Sequence, residues 1–260
     1  MSSGFERRWH DGDAYKSALF DTLSMMFPEG EQFFMDSVRE FVPAIERADN
    51  AELLAQARAF VGQEATHRHL HEQFNEQLAA QGYRNVVERV IRFRIRMSQR
   101  FAPLSRLAVV IGYEHFTAIM GDGLLGGREW MRTDDARLDR LWHWHAAEET
   151  EHKAVAFDVY RFAGGSYRRR VLWYLYVSLM FTADINWQTA LLLWKDGTLL
   201  RPSTWLGTCR FWFTRPGILW HMAPLWFSYL KPGFHPWQHD NRELLERWYA
   251  RYADDAGAPT

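Results

Sequence analysis

The chain has 260 residues, enough for one large core, and its 31 basic and 32 acidic residues leave a formal charge of −1. That balance gives no global field to recruit nucleic acid, and the single cysteine, Cys209, rules out an internal disulfide framework and a thiolate-rich metal site. The opening residues, "MSSGFERRWHDGDAYK", lack the continuous apolar core of a signal peptide, so the expected location is the cytoplasm or the inner face of its membrane.

Stretches free of glycine and proline, with helical spacing of apolar residues, follow one another along the chain. No alternating strand pattern of useful length interrupts them. The spacing predicts a helix from about Pro28 to Ala48, with Pro28 in its first turn and Pro43 bending its end. The next helix runs over 50–80, with Asn50 as N-cap and Gly82 closing it. Residues 84–100 read as a basic amphipathic helix with Val86, Val90 and Ile91 on its apolar side. Pro103 starts another, which ends at the glycines of "GDGLLGG". A single helix over 134–162 follows, capped within Thr133 to Asp135 and stopped at Gly164 and Gly165.

Beyond "GGSYRRR" the composition changes. Nine of the 13 Trp lie after residue 170, whereas seven of the 11 His lie between His67 and His152, so apolar load and coordinating chemistry occupy different halves. A soft boundary near 165 separates a metal-binding helical bundle, 1–165, from an aromatic-rich helical extension, 166–260. Within 171–195 the polar Asp184, Asn186 and Gln188 leave an apolar run too short to cross a bilayer. Arg168 to Arg170 and the scattered Trp and Tyr suit either helices packed over the bundle or a segment lying at a membrane surface. A final amphipathic helix spans about Asp240 to Ala253.

The segment "WHWHAAEETEHK", 142–153, packs three His and three Glu into one helix. Residues three and four apart share a face, so His145, Glu149 and His152 point one way, and Trp142, Ala146 and Ala156 share that face. A solvated face would carry its charges away from the apolar stripe. "FVGQEATHRHLH" repeats the pattern, with Glu64 and His67 three apart, His71 a turn further, and Ala57, Phe60 and Val61 behind them. His69 points elsewhere. Glu114 sits among Leu107, Val110, Ile111 and Ala118, and Glu31 among Phe27, Phe34, Met35 and Val38. Glu29 competes with Glu31, and Glu148 with Glu149, for the same roles.

One Glu from each of two helices and Glu-x-x-His from each of two others is the ligand set of di-iron and di-manganese carboxylate bundles. Two divalent ions would neutralise four carboxylates that are otherwise costly to bury. The candidate metal ligands are therefore Glu31, Glu64, His67, Glu114, Glu149 and His152. His71 and His145 are either further ligands or donors that orient the ligands.

These blocks, "FPEGEQFF", "FVGQEATHRHLH", "GYEHFTA" and "WHWHAAEETEHKAVAFDVY", together with "FHPW" near the end, resemble the bacterial family of predicted metal-dependent hydrolases. That family is similar in its metal motif to the ferritin-like di-iron superfamily. The resemblance covers nearly the whole chain and implies a metal-binding helical bundle with the six ligands just named. The expected fold is all-α: a ferritin-like four-helix bundle with additional helices and an aromatic-rich helical C-terminal region. The expected cofactor is two metal ions, iron first, with manganese or zinc as alternatives.

An oxygen-rich donor set suits iron or manganese, which makes O₂-dependent oxidation of an apolar small molecule the favoured function. A hydrolase using water activated by two metals is the alternative. A non-enzymatic metal-binding or membrane-associated structural protein is a third. Expected partners are a small apolar substrate and, for an oxygenase, an electron donor. Peripheral membrane contact and a homodimer are further candidates, and Tyr113 is either a redox neighbour of the centre or a packing residue.

Overall fold

The computed structural model describes residues 4–128, 130–215 and 217–252. These residues form eleven α-helices and one 3-10 turn, with no strand among them: the protein is all-α. Four helices, α1 (Ala14–Arg39), α3 (Ala51–Ala80), α5 (Pro103–Leu125) and α6 (Ala136–His152), form a bundle in which α1 pairs with α3 and α5 with α6. The short α2 (Val42–Arg47) links the first pair, and α4 (Val87–Ser98) lies against α1 on the way to the second. After α7 (Val155–Phe162), the long α8 (Tyr167–Lys195) lies along α1 and α5. The helices α9 (Pro202–Phe213), α10 (Ile218–Ser228) and α11 (Arg242–Arg251) complete the chain, α10 against α5 and α11 against α5 and α6.

The first predicted helix is misplaced. It begins at Ala14, where the Asp13 side chain accepts from the backbone N–H of Lys16 at 3.0 Å, and Pro28 lies in its interior. An interior proline removes the ladder bond to the carbonyl four residues earlier, here Ser24. That carbonyl instead accepts from Asn75 Nδ2 of α3 at 2.8 Å, and the next one, Met25 O, accepts from Asn85 Nδ2 at 2.8 Å. The helix continues because its broken bond is replaced from outside. It stops at Arg39, and Pro43 opens α2 instead of bending α1.

Asn50 caps α3 through its side chain, which accepts from Leu53 N at 3.1 Å, and Gly82 follows the helix at φ +85°, where a Cβ would be strained. The helix predicted over 134–162 is two helices, α6 and α7. The break falls where Lys153 turns its ammonium to His239 O (2.8 Å) and Asn241 Oδ1 (2.5 Å), over the Trp237 ring. On α4 the buried side is Val87, with Ile91 and Ile95 packed on the core, while Val86 and Val90 are only half-buried. The last helix is described to Arg251, so its predicted end at Ala253 lies outside the described residues.

The polar residues inside α8 have structural partners. Gln188 Oε1 accepts from the N–H groups of Val86 (3.1 Å) and Val87 (3.0 Å), and its Nε2 donates to Arg84 O (2.9 Å). So α8 completes the capping of α4 that Asn85 Oδ1 begins by accepting from Glu88 N at 3.1 Å. Asp184 is ion-paired with Arg94 of α4. No helix among the described residues is long and apolar enough to cross a membrane. The outer face of α8 nonetheless exposes Leu172, Leu175, Tyr176, Leu179 and Trp187.

Candidate metal centre

Close packing inside the bundle brings the candidate ligands together. Gly121 of α5 runs so near α6 that a Cβ there would stand 2.9 Å from Ala146 O. That approach draws α5 toward the helix bearing Glu149. Glu64, His67 and His71 are fully buried, and Glu31, Glu114, His145, Glu149 and His152 expose no more than 4 % of their surface.

The side chains gather into two cages that touch. Glu31, His67 and His145 can each offer one ligand atom with all three atoms within 4.8 Å of one another. Glu64, Glu114, Glu149 and His152 do the same. Glu149 joins the two: its Oε1 lies 2.9 Å from His145 Nε2 and 3.5 Å from His67 Nδ1, while its Oε2 lies 3.5 Å from His152 Nε2. Glu64 Oε1 also lies between, 3.2 Å from His152 Nε2 and 3.9 Å from His67 Nδ1. Glu114 Oε2 stands 3.6 Å from His152 Nε2.

Hydrogen bonds outside the cages orient two of the imidazoles. Asn75 Nδ2 donates to Ser24 O, which leaves Asn75 Oδ1 to accept from Ser24 Oγ at 3.0 Å. Ser24 Oγ must then accept from His71 Nδ1 (2.9 Å), and His71 Nε2 from His145 Nδ1 (2.7 Å). His145 Nε2 is thereby left with a lone pair facing Glu149. On the other side Gln63 Nε2 donates to Glu151 (2.9 Å), so Gln63 Oε1 accepts from His152 Nδ1 at 3.2 Å. In the neutral ring His152 Nε2 therefore faces three carboxylates with a lone pair, a position that only a proton or a metal ion can fill favourably. Lone pair against carboxylate is repulsive, so each of these nitrogens calls for a cation, a proton in the metal-free chain or a metal ion in its place.

The remaining polar atoms carry the same message. Among the described residues, both oxygens of Glu31, Glu64 and Glu114, both ring nitrogens of His67, and His152 Nε2 have no hydrogen-bond partner, although buried polar atoms nearly always have one. Burial, then Glu64, Glu149 and Glu114, holds the Glu31 carboxyl well above the usual carboxylate range. Burial, then Glu149 and Glu64, does the same to Glu114. Burial also raises Glu64. Burial, with His145 beside it, pushes His67 down to about 3. Burial opposes a charge on both Glu149 and His152, yet their mutual attraction and the neighbouring imidazoles and carboxylates win: Glu149 is held well below its usual value and His152 well above. Four carboxylates and three imidazoles with this many unused lone pairs fit a pair of divalent cations.

The competing residues lie elsewhere. Glu29 is ion-paired with Arg92 at 3.0 Å on the surface, Glu148 belongs to neither cage, and His69 is exposed beside Gln73. His145 stands in a cage, and His71 stands behind it. Tyr113 packs between the rings of Phe34 and Phe181, with centroids 6.0 and 5.8 Å away. The sequence reading missed Ser24, Asn75 and Gln63; Ser24 lies two turns before Glu31 on the same helix face, which was the available signal.

The model of the family described as "Predicted metal-dependent hydrolase" matches residues 1–240, most of the chain and every residue of both cages. The chain belongs to this family. No curated protein and no solved structure matches it. Family membership and the gathered Glu and His side chains together mark a metal-dependent protein. A second polar cluster reaches the end of the matched span, with Asn241 one residue beyond it. Asp122 accepts from Asn241 Nδ2 (3.0 Å) and lies 2.9 Å from His221 Nε2 and 2.8 Å from His239 Nε2, tying the C-terminal segment to α5.

Proposed function

We propose that the chain is an enzyme with a dinuclear metal centre, acting on an apolar small molecule. The observation that carries this reading is Glu149, whose two oxygens face different cages, as a carboxylate shared by two ions does. Glu31, His67 and His145 would hold one ion, Glu64, Glu114 and His152 the other, with Glu149 between. A bound pair of ions would supply Lewis acidity for a water or, as iron, electrons for O₂. In the metal-free chain Glu31, pushed up by burial and by three carboxylates, holds a proton that a bound ion would displace. The line from His145 through His71 and Ser24 to Asn75 would hold the His145 ring with Nε2 toward the ion.

Membership of a family described as metal-dependent hydrolases supports hydrolysis as the reaction. A specific observation favours the second reading, O₂-dependent oxidation with iron. The cavity beside Glu31 is walled by Phe27, Phe34, Ile91, Tyr113 and Phe181, which suits a substrate without a polar scissile bond. That reading also requires an electron donor as a partner. The exposed apolar face of α8 supports peripheral contact with a membrane at the cell's inner face.

One experiment separates the readings. The purified chain is loaded with iron, manganese or zinc, its metals are counted, and O₂ uptake with a reductant is compared with cleavage of apolar esters. Hydrolysis predicts ester cleavage with zinc or manganese and no need for reductant. Oxidation predicts O₂ uptake only with iron. Fewer than two metals per chain would sink both.

A further inference from the structure

Three hollows lie in a row alongside the two cages. The outer one, about 340 Å³, lies between α1, α4, α5 and α8 and has Glu31 in its wall. The inner one, about 390 Å³, lies among α1, α5, α8, α9 and α10. Between them is a neck of about 30 Å³ whose wall includes His145 and Glu149. Phe27 and Thr117 belong to both outer chamber and neck, Met120 and Leu124 to both neck and inner chamber, and Phe181 to all three. The cages thus look onto this row from one side, at the outer chamber and at its narrowest point.

The shape selects a class of ligand. Both chambers have the size of ordinary small-molecule sites, whereas the neck between them has only about a tenth of their volume. Of organic groups a methylene chain is the slimmest, and so the one best matched to such a narrowing. The cations in the outer wall do not ask for an anion, because Arg94 is paired with Asp184 and Arg106 with Glu40. Phe93, Phe101 and Tyr176 are exposed at the outer chamber, and Leu219 and Phe227 at the inner one, so both ends reach the surface. The end with Glu31 in its wall is the entrance on the side of the cages. Phe181, by contrast, is buried, and the rings of Tyr113 and Phe116 hold it with centroids 5.8 and 5.0 Å away.

We propose that this row binds a single unbranched aliphatic chain, which enters the outer chamber and lays its leading carbons beside Glu149 and His145, and that Phe181 sets how far it runs toward the inner chamber. As a statement about substrate the proposal rests on the dinuclear reading above; as a statement about binding it does not need the metals. Phe181 is a specificity-determining residue here and takes no part in the chemistry.

The test uses the full metal-free chain and a fluorescent polyene fatty acid, displaced by saturated fatty acids of increasing length. Each methylene that finds room raises affinity about fourfold. The wild-type series rises in this way and levels off once the chain meets Phe181. Phe181→Ala moves the break to longer chains, and Phe181→Leu moves it less far in the same direction, which keeps the test alive should the alanine variant not fold. Adding Ala223→Phe, in the wall of the inner chamber, to either variant brings the break back. The same break in all variants would overturn the proposal, as would branched or cyclic acids binding as tightly as straight ones of equal carbon number. Metals are counted separately on each protein. A flat chain-length series with two metals bound defeats this inference alone, and the expected series with no metal binding defeats the dinuclear function alone.

Discussion

His71 Nε2 accepts the Nδ1 proton of His145 across 2.7 Å, and this one bond leaves the nitrogen that faces Glu149, Nε2, with its lone pair. His71→Leu keeps the apolar volume but removes the acceptor. His145 is then free to protonate Nε2 and turn a proton toward the cage. We expect metal affinity to fall by about 10–100-fold, the usual effect of losing a partner behind a ligating imidazole, with the helical content unchanged. Competition with a fluorescent chelator measures it, and unaltered affinity would show that His71 only fills space.

Glu31→Gln should act with opposite signs on the two states of the protein. Without metal, the buried Glu31 carboxyl is raised, so stability is lost as pH climbs from the unfolded value toward the folded one. Gln carries no such charge, and the metal-free variant should be more stable near neutral pH by about 1 kcal/mol, an ordinary single-site effect. With metal, the same substitution removes a ligand and should weaken binding by more than ~100-fold, beyond the cost at His71. Urea unfolding with and without added manganese reads both. A variant less stable in the metal-free state would mean that Glu31 is already paired.

Much of this arrangement was readable in advance, for a physical reason. A glutamate on an apolar stripe, as at Glu31, Glu64, Glu114 and Glu149, contradicts the ordinary division between wet and dry helix faces, and that contradiction is visible in spacing alone. The all-α architecture follows from the same periodicity. What spacing could not show was the direction of a ring nitrogen: His71 and His145 lie on equally apolar faces, and only contacts between α1, α3 and α6 distinguish them. Gln188 read as an interruption in an apolar run because its partners, three backbone groups at the start of α4, lie about a hundred residues away. The three hollows are spaces between helices and have no residue pattern of their own.

Gln188→Leu tests that long-range cap. It makes α8 more apolar yet leaves Val86 N–H, Val87 N–H and Arg84 O without their shared partner. The expected loss is roughly 1–3 kcal/mol, the cost of stranding buried polar groups, seen as a lower urea midpoint. Hydrogen exchange should quicken first in α4. If α4 stays protected, its start is held by something other than α8.

A pH effect should come from His115, whose Nε2 donates to Leu225 O at 3.1 Å among Tyr174, Tyr229 and Phe234. Burial, only partly offset by that carbonyl, lowers its pKa from 6.5 to about 4. Between these values the unfolded chain takes up a proton and the folded one does not, so stability falls as pH drops from 6.5 toward 4. The full loss is about 3 kcal/mol at 1.4 kcal/mol per pKa unit. His115→Phe should flatten the profile by that amount in metal-free protein followed by thermal melts. A parallel profile would place the acid sensitivity elsewhere.

Pro28 and Asn75 belong to different helices, yet Asn75 cannot be lost while Pro28 stays without stranding a carbonyl. A residue with an N–H at position 28 would return a ladder bond to Ser24 O, and Asn75 Nδ2 would then no longer be its sole donor. Loss of Asn75 alone would leave that carbonyl bare beside the proline and would also free the Ser24 hydroxyl that steers His71. The coupling in inheritance thus runs one way: among members of the family, Asn75 should be lost only where position 28 is no longer proline, on lineages where the imidazole behind His145 has changed as well.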